Sequence, residues 1–178
     1  MHTPVAHLSD SLRESLNQPG SFVVLGTIDP SGCPSLIPVG SLVSRTPSLL
    51  LMGLRRTLHS LSNIEANPNV GILHMSHGNK VKIKGLAAAH SEIPGSGSYF
   101  GVPCMIVAVN VTSVESITTG VSVQPFVYWT WRVKHLESLS DIRQYLLSVD
   151  PGSFEPPHPE VPHPAGPGSL PSGGRTTF

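Results

Sequence analysis

Ser48-Leu49-Leu50-Leu51-Met52-Gly53-Leu54-Arg55-Arg56-Thr57-Leu58-His59-Ser60-Leu61-Ser62-Asn63-Ile64-Glu65-Ala66-Asn67-Pro68 changes its period halfway along. The run Leu49 to Leu54 is apolar and predicts a strand. From Thr57 to Asn67 the apolar residues Leu58, Leu61 and Ile64 recur at helical spacing, which predicts a short helix. Thr57 or Ser60 is placed to cap its start, and Pro68 stops it. At the junction stand two guanidiniums, Arg55 and Arg56, the hydroxyls of Thr57 and Ser60, and the His59 imidazole. Unpaired backbone N–H groups and the helix dipole favour an anion at such a point. Arginine adds a planar, bidentate match to phosphate. Only 12% of the chain is charged, so this concentration of basic groups is notable, although the residue types alone fit a solvated loop as well as a phosphate site.

The flanking sequence is strand-rich. A first short helix is expected around Leu8, Leu12 and Leu16, with Ser11 and Glu14 spaced as a capping box and Pro19-Gly20 at its end. Phe22 to Ile28 reads as a strand, Asp29-Pro30-Ser31-Gly32 as a tight turn, and Pro34 to Val43 as a second strand whose prolines point to an edge, a bulge or an end. Val70 to Met75 is a further strand. Lys80-Val81-Lys82-Ile83-Lys84 alternates as a strand with one wet face. Ser91 to Gly101 reads as a loop, and Cys104 to Val114 and Pro125 to Val133 as the last two strands. Leu139, Ile142, Leu146 and Val149 mark an amphipathic helix, with Ser138 and Asp141 spaced for its cap. Six or seven strands joined by short turns, with one small internal helix, point to a mainly β protein, an antiparallel barrel or sandwich. Residues 1–150 form the expected domain. From 151 to 178 Pro, Gly, Ser and His dominate, and this stretch is expected to be an extended or disordered tail.

At 178 residues the chain can bury one real core. A net charge of zero speaks against a nucleic-acid partner or a charged membrane surface, and no apolar run reaches membrane-spanning length. The N-terminus lacks the pattern of a secretory signal, and the two cysteines, Cys33 and Cys104, make no disulfide framework. A cytoplasmic setting is the expectation. Asn110-Val111-Thr112 matches a glycosylation triplet but falls in a strand. His74 and His77 flank a turn with no cysteine or carboxylate to complete a metal site. Lys82 and Lys84 are the wet face of a strand or ligand contacts. Trp129 and Trp131 share a strand face and suit a core, an interface or ring stacking. No catalytic triad, carboxylate pair or nucleophile elbow is present, as suits a protein whose chemistry is carried by a cofactor.

Taken in order, the strand ending Thr27-Ile28, the turn Asp29-Pro30-Ser31-Gly32-Cys33-Pro34, Ile37-Pro38-Val39-Gly40, the Arg/Thr/His/Ser cluster, Asn63-Ile64-Glu65-Ala66-Asn67-Pro68 and Gly85-Leu86-Ala87 resemble the pyridoxamine 5'-phosphate oxidase-like, FMN-binding split-barrel family. The resemblance spans roughly Leu12 to Val133. It implies a six-stranded antiparallel split barrel that forms a homodimer with FMN at the subunit interface. The phosphate would lie against Arg55, Arg56, Thr57, His59 and Ser60. The flavin ring would lie against the backbone of Pro38, Val39, Gly40 and Ser41, with Met52 and Gly53 opposite. Lys82 or Lys84 would assist, and Trp129 or Trp131 of the partner would cover the ring. His59 stands where the family commonly has Lys or Arg, which leaves the arginines to compensate. No residues match the substrate-phosphate contacts of true pyridoxamine phosphate oxidases, so vitamin B6 oxidation is not expected. The implied activity is that of a flavin-dependent oxidoreductase or flavin reductase acting with a small-molecule electron donor or acceptor. The alternatives are a non-catalytic carrier or sensor of flavin or haem, with His59 or His74 as axial ligand, and use of a deazaflavin.

Overall fold

The computed structural model describes residues 7–76, 79–94, 98–99, 101–117 and 133–154. In chain order its elements are α1 (Asp10–Asn17), β1 (Val23–Ile28), β2 (Pro34–Val39), β3 (Val43–Ser44), β4 (Leu49–Arg55), α2 (His59–Ala66), β5 (Asn69–Ser76), β6 (Asn79–Glu92), β7 (Ser98–Tyr99), β8 (Val102–Ser116) and α3 (Val133–Ser148). A single 3-10 turn, Pro151–Ser153, follows. The strands pair antiparallel in the order β2-β1-β5-β6-β8-β4-β3, with β7 added to β8.

That order forces the sheet to curl. β2 and β3 lie at opposite edges, yet only Gly40, Ser41 and Leu42 join them. Seven strands laid flat would separate the edges by about 29 Å, whereas the connecting chain spans at most ~14 Å. The sheet therefore closes on itself as a split barrel. Six long strands build it, and β3 and β7 add two residues each. The fold expected from the sequence is the fold observed.

Alternation in the strands divides the apolar residues into two cores. Val23, Leu25, Leu50, Met52, Leu54, Ile72, Ile83, Val107 and Val109 fill the barrel. Val43, Leu49, Leu51, Cys104, Ile106 and Ala108 face outward from β3, β4 and β8, and are covered by Ile142 and Leu146 of α3 and by Phe154. β4 and β8 are thus buried on both faces, which is why they read as continuous apolar runs. Gly85 permits the tightest strand approach: a Cβ there would sit 2.6 Å from the Asn110 carbonyl oxygen, beside the register shift between β6 and β8.

Several expectations about element ends are corrected. Ser9, not Ser11, caps α1, accepting from the Leu12 N–H at 3.3 Å. The stretch expected as one strand from Pro34 to Val43 breaks at 40–42, where it crosses between sheet edges. β6 runs on to Glu92, into the expected loop, because β8 pairs with it that far. α3 begins at Val133, so Ser138 and Asp141 lie inside it rather than at its cap. Packing also extends past 150: Phe154 is buried and meets His90 edge-on at 4.9 Å. The rest of the expected strand Pro125 to Val133, with Trp129 and Trp131, lies outside the described residues, as do His77 and the chain from 155 to 178.

Two arginines fix α3 in place. Arg143, only 8% exposed, donates to the carbonyl oxygens of Leu42 (2.5 Å), Leu16 (3.2 Å), Gln18 (3.2 Å) and Gly40 (3.4 Å). These four acceptors belong to the end of α1 and to the 40–42 crossing. Burial lowers the Arg143 pKa, and the ring of carbonyl dipoles supplies the compensation a buried cation needs. Arg45 donates to the Leu147 carbonyl and, at 2.6 Å, to that of Val149. It satisfies the negative end of the helix dipole.

Candidate functional site

A groove of about 620 Å³ opens where β4 runs into α2. Arg56, Thr57, Leu58, His59, Leu61, Ser62 and Glu65 line one side, and Ala89, Glu92 and Met105 the other. Strand register explains the second group. Glu92 pairs with Met105, and Met105 pairs with Leu54, so the ends of β6, β8 and β4 lie abreast. On α2, His59, Ser62 and Glu65 recur every third residue and share a face.

The start of α2 is not capped as expected. Leu58 is the N-cap, and no side chain accepts from the first turn. Leu58 takes that position because its side chain packs at the margin of the barrel core. The sequence predicts a hydroxyl there, from Thr57 or Ser60. The Leu61 N–H donates to the Leu58 carbonyl at 3.1 Å, and the N–H groups of His59 and Ser60 are left without a side-chain cap next to Arg56, Thr57 and His59, all of which are exposed. Asn63 holds the helix against the barrel by donating to the Thr27 hydroxyl at 3.0 Å, with both groups buried.

The candidate residues do not all converge. Arg56, Thr57 and His59 line the groove. Arg55 precedes Arg56 on an alternating strand and points to the opposite face, where its guanidinium lies 5.7 Å from the centre of the Tyr99 ring. Ser60 is buried and does not reach the groove. Lys82 sits ten residues before Glu92 on β6, about 30 Å away along an extended strand, and pairs with Glu115 at 2.5 Å. That pairing holds the Glu115 carboxyl below its usual pKa.

The residues expected beneath a flavin ring are also elsewhere. Met52 is fully buried in the barrel and Val39 is buried beside it. Pro38 is exposed on the edge strand. Ser41 is buried, and its hydroxyl donates to the Gly53 carbonyl at 2.7 Å. A Cβ on Gly53 would lie 2.6 Å from the Ile142 Cγ2 atom, so α3 occupies the space above it. The Gly40 carbonyl accepts from Arg143. Sequence reasoning missed this because nothing local links 133–148 to 40–53. It missed Ala89, Glu92 and Met105 for the same reason, since only the register of β6 and β8 brings them to α2.

The groove carries mixed charge. Arg56 lies 3.7 Å from Glu92, both side chains being largely exposed, a pair worth little in water. Glu65 adds a second carboxylate. His74 is 3% exposed, and its Nε2 is 2.9 Å from the Ser15 hydroxyl. It therefore anchors α1, and it is not among the residues that line the groove. Among the described residues no cluster of three or more His, Cys, Asp or Glu could hold a metal, and no helix is long and apolar enough to cross a membrane.

A scan against protein-family models matched none, and a search of curated proteins found no match. Solved structures do match. A Lactobacillus delbrueckii protein provisionally described as a pyridoxamine 5'-phosphate oxidase aligns with a TM-score of 0.53 at 19% identity, over 62% of this chain and 95% of that one. HupZ of Group A Streptococcus aligns with a TM-score of 0.54 at 17% identity, over 65% of this chain and 98% of that one. The chain has the pyridoxamine 5'-phosphate oxidase-like split-barrel fold. More than a third of it has no counterpart in either neighbour.

Proposed function

We propose that this chain is an FMN-binding split-barrel protein that works as a homodimer, with the cofactor phosphate held at the start of α2. The observation that carries this reading is the groove in which Arg56, Thr57, His59 and the uncapped first turn of α2 converge. A phosphate dianion finds there a guanidinium, a hydroxyl, backbone N–H groups and a favourable dipole. Arg56 is free to turn from the exposed Glu92 carboxylate to a ligand, because that pair is weak. The phosphate end of FMN therefore fits. The backbone of 40–41 and 53 does not fit the ring, since α3 covers it.

Bound flavin would supply the redox chemistry, and the protein would bind, orient and shield it. A flavin-dependent oxidoreductase or flavin reductase, with a small-molecule electron donor or acceptor, is the activity this supports. Cys33 and Cys104 are both unpaired with one another, which fits a reduced, cytoplasmic setting.

The test is an absorption titration of the purified protein with FMN and with riboflavin. Flavin bands that shift and saturate, with FMN bound more tightly than riboflavin, are expected. Failure to bind FMN overturns the reading, and a Soret band on adding haem instead would move the protein to the haem-binding class. Sedimentation velocity of the loaded protein should give a dimer, and a monomer would overturn that part.

A further inference from the structure

We propose that the isoalloxazine ring of bound FMN rests on a floor formed by Leu58, Leu61, Ala89 and Met105, and not on the backbone of residues 38–41 and 52–53. This inference rests on the FMN reading above and adds a place for the ring.

The alternative platform is closed from several sides. Ile142 fills the space over Gly53, Ser41 is 2% exposed with its hydroxyl engaged, and Met52 is 0% exposed. The Gly40 and Leu42 carbonyls accept from Arg143. Opening that platform would require lifting α3 off Leu49, Leu51 and Ile106 and stranding a buried guanidinium.

The floor has the complementary properties. Leu58, Ala89 and Met105 are partly buried residues at the margin of the barrel core, and Leu61 is part of that core. Together they present an apolar surface inside the groove that also contains Arg56, Thr57 and His59. A volume of about 620 Å³ lies within the range of small-molecule sites. A flat aromatic ring gains from an apolar floor, and a methionine thioether adapts to its face or edge. Glu92, opposite Met105 in the strand register, sets a carboxylate at the margin of this floor. There it can accept from a ring N–H or a ribityl hydroxyl.

Methyl NMR tests the placement, because Met105 lies in the proposed floor whereas the Met52 side chain lies inside the barrel. With ¹³C-methyl methionine in the full-length protein, titration with FMN should give Met105 a ring-current shift that saturates together with the flavin absorbance. Met52, inside the barrel, and Met75, on the outer surface, should not move. Met105→Leu assigns the resonance by its loss. Bound flavin with Met52 shifted and Met105 unmoved would overturn the ring placement and leave the FMN reading intact. Bound flavin with no methyl shifted would overturn the placement as well. No flavin bound at all would overturn both.

Discussion

Arg55 and Arg56 are neighbours in sequence with opposite surroundings. Successive residues at a strand end point to opposite faces, so one guanidinium meets Tyr99 and the other meets the groove. Single substitutions should therefore diverge. Arg56→Ala should weaken FMN by roughly tenfold, about 1.4 kcal/mol, with riboflavin unchanged. Arg55→Ala should leave FMN affinity alone and lower stability by about 0.5–1 kcal/mol through loss of the Tyr99 contact. Equal losses of FMN and riboflavin in Arg56→Ala would exclude a phosphate contact there. His74 carries a second prediction. Burial lowers its pKa from 6.5, outweighing the opposite pull of the Phe22 backbone, and burial lowers that of His90 too. The unfolded chain takes up these protons near pH 6.5, the folded one only at lower pH. Stability from this source is complete above pH 6.5 and is lost as pH falls below it. The urea midpoint should drop on acidification, and His74→Gln should flatten part of that slope.

At the scale of elements, α3 is the addition that shapes this barrel. Ile142 and Leu146 are fully buried on it, each contributing about 1.5–3 kcal/mol of apolar burial. Arg143 and Arg45 pin its middle and its end. Gly53 is the counterpart on β4: it must lack a side chain for Ile142 to seat. Gly53→Ala should cost about 1–3 kcal/mol and speed amide exchange in α3 while β1 and β5 stay protected. Adding Ile142→Ala should make the two losses less than additive, since the second change removes the clash. Additive losses would show that the two residues do not meet.

The whole molecule is a sheet curled by its own connectivity and sealed on one outer side by a helix. The two cores share β4 and β8, so neither is complete without those strands. A chain ending after Ile117 would keep the barrel order but expose the outward face of Leu49, Leu51, Ile106 and Ala108. Exposed apolar area of that kind drives association. Light scattering should show such a chain aggregating under conditions where the full-length protein stays dispersed. Equal behaviour would mean that α3 is dispensable to the fold.

Local chemistry was legible in the sequence. The Asp29 turn forms as its residues dictate: the carboxylate accepts from the Ser31 and Cys33 N–H groups, and Gly32 takes φ +87°. The prolines of β2 sit on the edge strand, and α2 stops before Pro68. Apolar period and turn chemistry act within a few residues, so the order of the main elements and the mainly β class followed from them, whereas the two-residue strands β3 and β7 did not, and the split barrel was implied by the family resemblance. The site depended on long-range pairing. Which arginine faces the groove, which hydroxyl is buried and which helix covers Gly53 were decided by strand register and by the docking of α3. Those contacts join residues as many as 127 positions apart, and no local pattern specifies them. The residues alone specified a mainly β chain with a basic strand–helix junction, and their ordered resemblance to a known family implied the split barrel. Only the tertiary structure decided that Arg56, Thr57 and His59 share a groove with Ala89, Glu92 and Met105, because side-chain direction on paired strands is fixed by the partner strand.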